Sequence, residues 1–125
     1  MAVAVATDQQ PVSLPPETPV TLTPCETVRA EIAKHSGWDV NIMQAIAQAE
    51  NRSCDPTRHN LSADENHKVC IGSYGVLQVG CLHYRNGEDR NDLKTNIAVA
   101  HRVYLQQGYS AWTQYNNGEY RKFLK

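Results

Sequence analysis

Glu50 is the last residue of an apolar helical run. Its surroundings make it the strongest candidate for a catalytic residue in the sequence. Met43, Ile46 and Ala47 precede it by seven, four and three positions. At 3.6 residues per turn, these positions share one helix face with Glu50. Apolar surroundings and the negative C-terminal end of the helix dipole both disfavour the anion, so they raise the carboxyl pKa. A glutamate protonated near neutral pH can serve as a general acid. The alternative is that Glu50 turns outward at a frayed helix end.

The composition describes one small domain. The chain has 125 residues, a net charge of −1 and 20% charged residues. This length provides one hydrophobic core. Neither the bulk charge nor any basic run marks a protein that binds nucleic acid or a membrane surface. No segment approaches the roughly 20 continuous apolar residues that span a bilayer. We therefore expect a monomer with no nucleic-acid partner and no membrane insertion.

The four cysteines indicate an oxidising compartment. Cys25, Cys54, Cys70 and Cys81 include no Cys-x-x-Cys pair, which argues against zinc ribbons and thioredoxin-like chemistry. An even number in a short chain indicates two disulfides, with free buried thiols as the alternative. Four cysteines allow three pairings. We favour Cys54–Cys70, which closes the polar stretch after the second helix, together with Cys25–Cys81. The expected location is extracellular, periplasmic or associated with the cell wall.

Residues 1–24 differ from the rest of the chain. Five prolines stand among Ser, Thr and Val without a helical period, which is typical of an extended linker or leader. The opening Met-Ala-Val-Ala-Val-Ala has no charged region and is too short for the apolar core of a signal peptide. An export signal would then lie outside this sequence, or export would use another route. We place the domain proper at residues 25–125.

Helical periodicity predicts a mostly α domain. Three longer helices and a short final one are expected, with capping residues or glycines at their ends. Their expected bounds are Thr23 or Pro24 to Lys34, Asp39 or Asn41 to Glu50, about Asn91 to Gln107 with Gly108 as the stop, and a start near Ser110. The apolar run 74–80 between glycines predicts a strand or a buried turn, so at most a small β element is expected.

Three short motifs follow one another along the domain. They are Ala45-x-x-x-Ala49-Glu50-Asn51, Ser73-Tyr74-Gly75-Val76-Leu77-Gln78 and Gln114-Tyr115-Asn116-Asn117-Gly118. In order and spacing they resemble the motifs Glu-Ser, Gly-Leu-Met-Gln and Ala-Tyr-Asn-x-Gly of the soluble lytic transglycosylases. That family has a lysozyme-like fold and acts on bacterial peptidoglycan. The third helix is also similar, with Asn-Ile near its start and Tyr-Leu near its end. The resemblance covers residues 25–120, with Asn51 in place of the family's serine.

The resemblance implies that Glu50 is the single catalytic acid. It also implies a saccharide cleft lined by Gln78 and the backbone around Gly75, with Tyr115 close to the Glu50 carboxylate. The other substrate-binding positions that it implies are Asn51, Ser73, Tyr74 and Asn116. An amide at position 51 can still hydrogen-bond a sugar. The alternatives are that Gln78 caps a turn and that Tyr115 and Trp112 belong to the core. No cofactor or metal ion is expected.

The implied reaction is cleavage of the β-1,4 bond between N-acetylmuramic acid and N-acetylglucosamine. Glu50 protonates the glycosidic oxygen and then takes the proton of the muramic C6 hydroxyl, which closes on C1 to leave a 1,6-anhydro end. Attack by water instead would make the enzyme a lysozyme-type muramidase, ordinarily with a second carboxylate. Asp55, Asp64 and Glu65 are the candidates for that second carboxylate. The alternative is that all three are solvated loop charges.

Two other classes of function, a zinc protein and a non-catalytic glycan-binding module, have weaker support in the sequence. His59, His67 and His83, with Cys70 and Cys81, match no compact zinc-ligand spacing, and disulfides would consume the thiols. A non-catalytic glycan-binding module has no need to keep the acid at position 50. The sequence does not distinguish a bacterial origin from a phage origin.

Overall fold

The structure, a computed structural model, describes residues 21–61 and 70–125. The Pro-rich segment up to residue 20 and the candidates Asp64, Glu65 and His67 lie outside the described residues. Residues 21–61 and 70–125 form four α-helices, a three-stranded antiparallel sheet and three 3-10 turns. The prediction of a mostly α domain with a small β element is confirmed. The helices are α1 (Pro24–Ala33), α2 (Val40–Glu50), α3 (Leu93–Gln107) and α4 (Thr113–Asn116), the strands are β1 (His59–Asn60), β2 (Ser73–Tyr74) and β3 (Val79–Gly80), and the 3-10 turns are Cys81–His83, Gly108–Ala111 and Glu119–Phe123.

Local capping chemistry sets the helix ends. Thr23 and Glu26 form a capping box at the start of α1, in which the Thr23 Oγ1 accepts from the Glu26 N–H at 3.1 Å. The Asp39 carboxylate accepts two backbone N–H bonds at the start of α2. The Asp92 carboxylate caps α3 by accepting from the N–H and the hydroxyl of Thr95, so this helix begins two residues later than about Asn91. Gly108, with φ of +70°, ends α3 as expected.

The small sheet has the order β1-β2-β3. His59 pairs with Tyr74 between β1 and β2, and Tyr74 pairs with Val79 between β2 and β3. The apolar run 74–80 is therefore a hairpin whose turn, residues 75–78, carries the buried side chains Val76 and Leu77. The run therefore contains both predicted elements: its ends are strand residues and its middle is a buried turn.

The hydrophobic core lies between α1, α2, α3 and the hairpin turn. Its largest fully buried side chains include Ile32, Met43, Ile46, Leu77 and Ile97. A buried Trp112 closes one side, and its indole N–H donates to the Leu77 carbonyl oxygen at 2.8 Å. This bond ties the segment before α4 to the hairpin turn. No described helix has both the length and the apolar character needed to cross a membrane.

The predicted disulfide pairing is wrong. The bonds are Cys25–Cys54 and Cys70–Cys81, not Cys54–Cys70 and Cys25–Cys81. The start of α1 lies beside the turn that follows α2, which brings Cys25 to Cys54. Antiparallel pairing of β2 with β3 brings the flanks of the hairpin together, and the Cys81 N–H donates to the carbonyl oxygen of Gly72 at 2.9 Å. Two disulfides indicate an oxidising, extracellular environment.

Candidate active site

Glu50 is the last residue of α2 and is partly buried. The residues one turn before it, Ile46 and Ala47, are fully enclosed in the core. Burial raises the pKa of the Glu50 carboxyl to about 7, while the backbone amide of Gln114 and the positive charge of Arg58 act to lower it. A carboxyl group with such a pKa exchanges a proton readily near neutral pH. The direction of the shift agrees with the expectation from helical spacing.

Asn51 follows Glu50 and is fully buried. Its side-chain N–H₂ donates to the carbonyl oxygens of Asp55 at 2.7 Å and Gly75 at 3.5 Å. Its amide oxygen accepts from the Ser53 hydroxyl at 2.8 Å. The Asn51 side chain is thus engaged in contacts within the protein. The residue joins the end of α2 to the hairpin turn, and so it positions Glu50 relative to that turn.

Hydrogen bonds to the carbonyl oxygen of Arg58, which directly precedes β1, hold the hairpin turn. The Gly75 N–H donates to the Arg58 carbonyl oxygen at 2.8 Å. Gln78 has a positive φ of 43°, and its side-chain N–H₂ donates to the carbonyl oxygens of Gly75 at 2.8 Å and Arg58 at 3.3 Å. The side chain of Gln78 thus caps its own turn, which was the alternative to a direct role in the cleft. It remains partly exposed beside Arg58.

The side chain of Asn96 on α3 also hydrogen-bonds to this hairpin turn and holds it in place. It is fully buried, and its N–H₂ donates to the Tyr74 carbonyl oxygen at 2.8 Å and to the Tyr84 hydroxyl at 2.6 Å. Its amide oxygen accepts from the Leu77 N–H at 3.2 Å. A Cβ at Gly75 would lie 2.4 Å from the Asn96 side chain, so only glycine fits there.

Tyr115 lies on α4, directly after Gln114, whose backbone faces the Glu50 carboxyl group. Its ring stacks between those of Tyr109 and Tyr120, with centroid separations of 5.2 and 4.8 Å. Tyr115 is partly buried and packs against the hydrophobic core. Asn116 is exposed, and its side chain donates to the Ser110 carbonyl oxygen at 2.8 Å.

Ser73 and Tyr74 form β2 and are partly exposed. The Tyr74 ring stacks on His59 at 5.6 Å, and the Arg90 guanidinium lies 5.4 Å from the ring centroid. The Tyr74 hydroxyl donates to the carbonyl oxygen of Ile71 at 3.0 Å. These contacts make an aromatic and cationic surface on the small sheet.

Asp55 is the one candidate second carboxylate within residues 21–61 and 70–125. Its Oδ1 accepts from the backbone N–H of Thr57 at 2.9 Å and from the Thr57 hydroxyl at 2.7 Å. These bonds hold the pKa of the exposed Asp55 carboxyl below its usual value. The carboxylate is therefore engaged in its own turn. Arg58 is the charged residue that acts on Glu50 within the described part of the chain.

Two of the residues considered as zinc ligands, Cys70 and Cys81, form a disulfide. Neither is therefore available as a thiolate. Within the described ranges, no group of three or more His, Cys, Asp or Glu side chains is placed to hold a metal ion.

Three contributors to the site were not predicted as site residues: Arg58, Asn96 and the backbone of Gln114. The role of Asn96 could have been predicted from the sequence, because Asn96 shares a helix face with Leu93 and Ala100. A polar residue on an apolar helix face implies a specific hydrogen-bonding role. Arg58 lies in a polar stretch without periodicity, so its position follows from tertiary structure alone. Comparison with known proteins found no family model, no curated protein and no solved structure that matches this chain.

Proposed function

We propose that this protein is a peptidoglycan lytic transglycosylase with Glu50 as its general acid and base. The observation that carries the proposal is the partly buried Glu50 carboxyl, whose pKa is raised to about 7 at the end of α2. The order of the three motifs along the chain supports the choice of substrate. Glycan strands of the cell wall are the proposed partner, and the cell envelope or its exterior is the proposed location. The two disulfides agree with that environment.

In the proposed reaction, Glu50 starts protonated. It donates its proton to the glycosidic oxygen as the bond from that oxygen to the muramic C1 breaks, and positive charge develops at C1. The Glu50 carboxylate then accepts the proton of the C6 hydroxyl, whose oxygen forms the new bond to C1. The products are a free 4-hydroxyl on N-acetylglucosamine and a 1,6-anhydro muramic end. Glu50 returns to its protonated state, so the cycle needs no water.

Arg58 has a definite role in this cycle. Its positive charge lowers the pKa of Glu50, whereas burial raises it. Because burial and the Arg58 charge act in opposite directions, the pKa of Glu50 lies near neutral pH. Glu50 can then donate a proton in the first step and accept one in the second. Arg58 is exposed and so acts through its field rather than as a buried ion pair.

The state of Asp55 supports the transglycosylase route, and Asp55 is the one of the three candidate second carboxylates that lies within residues 21–61 and 70–125. An inverting or retaining hydrolase uses two carboxyl groups that flank the scissile bond. Asp55 is held by Thr57 in its own turn, as described above. An intramolecular nucleophile, the C6 hydroxyl, removes the need for a second carboxylate.

The initial rate of wall cleavage at low substrate is expected to fall as the pH rises through about 7. Glu50 must be protonated to act first, so the rate should decline about tenfold per pH unit above its pKa. Below that pKa the rate should reach a plateau. Turbidity of purified cell walls measured over about pH 3–9 tests this, with circular dichroism at each pH as the control for folding.

Two outcomes contradict this expectation. A rate that rises through neutral pH would mean that Glu50 is not the acid of the first step. A second decline at acid pH, near the ordinary carboxylate pKa of about 4, would show that an ionised carboxylate is also required. The lysozyme-type mechanism would then replace the transglycosylase one.

A further inference from the structure

Cys54 lies in the turn that follows Glu50 and has an unusual backbone conformation. Its φ is +56°, and Gln78 is the other non-glycine residue with a positive φ within residues 21–61 and 70–125. L residues rarely adopt this region, so such a conformation persists only where the surrounding structure holds it. The Cys54 N–H donates to the Asn51 carbonyl oxygen at 3.0 Å, and the Cys54 side chain is bonded to Cys25. The disulfide is therefore a covalent restraint on this strained residue.

The other half of the disulfide is attached to the body of α2. Cys25 lies in the first turn of α1, and its carbonyl oxygen accepts from the side-chain N–H₂ of Gln44 at 3.1 Å. Gln44 belongs to α2, six residues before Glu50, and is only 4% exposed. The Cys25–Cys54 bond thus ties the turn after Glu50 back to the helix that carries Glu50.

The carbonyl oxygen of Asp55, the residue after Cys54, joins parts of the candidate active site. It accepts from the Asn51 side chain at 2.7 Å and from the Arg58 N–H at 3.2 Å. The Arg58 carbonyl oxygen in turn accepts from the Gly75 N–H of the hairpin turn at 2.8 Å. Because Cys54 directly precedes Asp55, the place of the Asp55 carbonyl depends on the conformation of Cys54.

Release of Cys54 would reach Glu50 by two routes. Asn51, the next residue in the chain, would lose its 2.7 Å acceptor. Arg58, whose charge acts on Glu50, would lose the backbone hydrogen bond that places it. Burial is the largest cause of the raised pKa of Glu50, so a looser turn that admits water lowers this pKa from about 7 toward 4.5.

We propose that the Cys25–Cys54 disulfide is a positioning element for Glu50, and that its reduction slows wall cleavage while the domain stays folded. The proposal rests on the proposed function of Glu50. It makes that function dependent on the redox state of the compartment: the protein cleaves walls in an oxidising environment and is slow in a reducing one.

The reductant in this step is a dithiol. Cys25 is partly exposed whereas Cys54 is 1% exposed, so a thiolate of the reagent attacks the Cys25 sulfur. A bond forms between these two sulfurs, and the Cys54 thiolate leaves and takes up a proton. The second thiolate of the reagent then bonds to the first sulfur, and the Cys25 thiolate leaves and is protonated. Two electrons pass from the reagent, which becomes a cyclic disulfide, to the two cysteines.

The second disulfide, Cys70–Cys81, is the matched control. It joins the flanks of the hairpin, where the pairing of β2 with β3 also holds the chain together. The Cys81 N–H adds a backbone bond to the Gly72 carbonyl oxygen at 2.9 Å. Loss of either disulfide should lower stability, because each restrains the unfolded chain. Loss of Cys25–Cys54 alone should change the surroundings of Glu50.

Two double variants test the proposal: Cys25→Ala with Cys54→Ala, and Cys70→Ala with Cys81→Ala. The measurements are the initial rate of wall cleavage over about pH 3–9 and the pKa of Glu50 from NMR of its isotope-labelled carboxyl carbon, assigned with Glu50→Gln. Loss of the first disulfide should lower the rate about 10–100-fold and move the Glu50 pKa from about 7 toward 4.5. Loss of the second should leave the pKa and the shape of the pH profile unchanged. A merely structural role of the first disulfide would lower stability without moving the pKa.

Reduction of the folded protein covers the case in which the first double variant does not fold. Dithiothreitol is added to the wild type and to Cys70→Ala with Cys81→Ala, in which Cys25–Cys54 is the remaining disulfide. Cleavage by both should fall about tenfold or more while circular dichroism shows that the helices are kept, and reoxidation should restore the rate.

The proposal is overturned if loss of Cys25–Cys54 leaves the Glu50 pKa at its wild-type value, or if reduction unfolds the domain. A folded wild type that cleaves no walls would refute the proposed function instead. The NMR titration still decides in that case whether the disulfide positions Glu50, because it needs no substrate.

Discussion

Replacing Glu50 with glutamine is expected to abolish wall cleavage and, above pH 7, to raise the stability of the fold. Loss of a general acid typically lowers the rate about 10²–10⁴-fold, and more where the same group also serves as the base. Glutamine has nearly the same shape and cannot ionise. The measurement is the release of soluble muropeptides from purified walls, together with urea unfolding at several pH values.

The stability change has a definite sign. The folded-state pKa of Glu50 is raised from 4.5 to about 7, so the protonated carboxyl suits the fold and the carboxylate does not. Wild-type stability should therefore decline as the pH rises from about 4.5 to about 7, by up to about 3 kcal/mol. The glutamine variant avoids this decline. The two proteins should differ little below pH 4.5 and most above pH 7.

Glu119→Gln is the matched control for Glu50→Gln. Glu119 begins the 3-10 turn Glu119–Phe123, and its Oε2 lies 2.7 Å from the Lys122 Nζ. This hydrogen bond lowers the pKa of Glu119, so its replacement should not stabilise the protein at high pH and should leave cleavage intact. Cleavage by Glu50→Gln above one tenth of the wild-type rate would refute the catalytic assignment.

Replacing Gly75 with alanine is expected to be the most disruptive single methyl addition in the described part of the chain. The new Cβ would lie 2.4–2.6 Å from three atoms of the Asn96 side chain, at a φ of +80° that L residues rarely adopt. Strain of the backbone and overpacking of the core each cost about 1–3 kcal/mol. We expect a loss of about 2–5 kcal/mol in the free energy of unfolding, with a parallel loss of cleavage, because the turn beside Glu50 must move.

Gly87→Ala is the control that separates the cost of backbone strain from the cost of a collision with the Asn96 side chain. Gly87 has a similar φ of +86°, but a Cβ there would meet nothing within 4 Å. It should therefore cost only the backbone term, about 1–2 kcal/mol. Adding Asn96→Ala should also make Gly75→Ala less costly than it is alone, because the colliding group is then gone. Equal losses for Gly75→Ala and Gly87→Ala would contradict this account of the turn.

Local signals in the sequence predicted the helices well. The Asp39 cap, the Thr23 and Pro24 start and the Gly108 stop depend on bonds within a few residues, so they are readable without tertiary information. The raised pKa of Glu50 was likewise predicted, because helical spacing alone places it beside Ile46 and Ala47.

Features that depend on distant contacts were predicted less well. The disulfide pairing failed because it follows from the register of β2 against β3 and from the packing of α1 on the end of α2. The contacts of Asn51 within the protein were not predicted: its side-chain amide donates to the carbonyl oxygens of Asp55 and Gly75. Local sequence gives no sign that the carbonyl of Asp55 lies there to accept it.

Mass spectrometry of the muropeptides released from purified peptidoglycan distinguishes the transglycosylase reaction from hydrolysis. The glycan ends made by attack of the C6 hydroxyl differ in mass by one water from those made by hydrolysis. The proposed role of Glu50 predicts 1,6-anhydromuramic ends from the wild type and no release by Glu50→Gln. Reducing ends from the wild type would contradict the transglycosylase mechanism, and an absence of any released muropeptide from the folded wild type would contradict the proposed function itself.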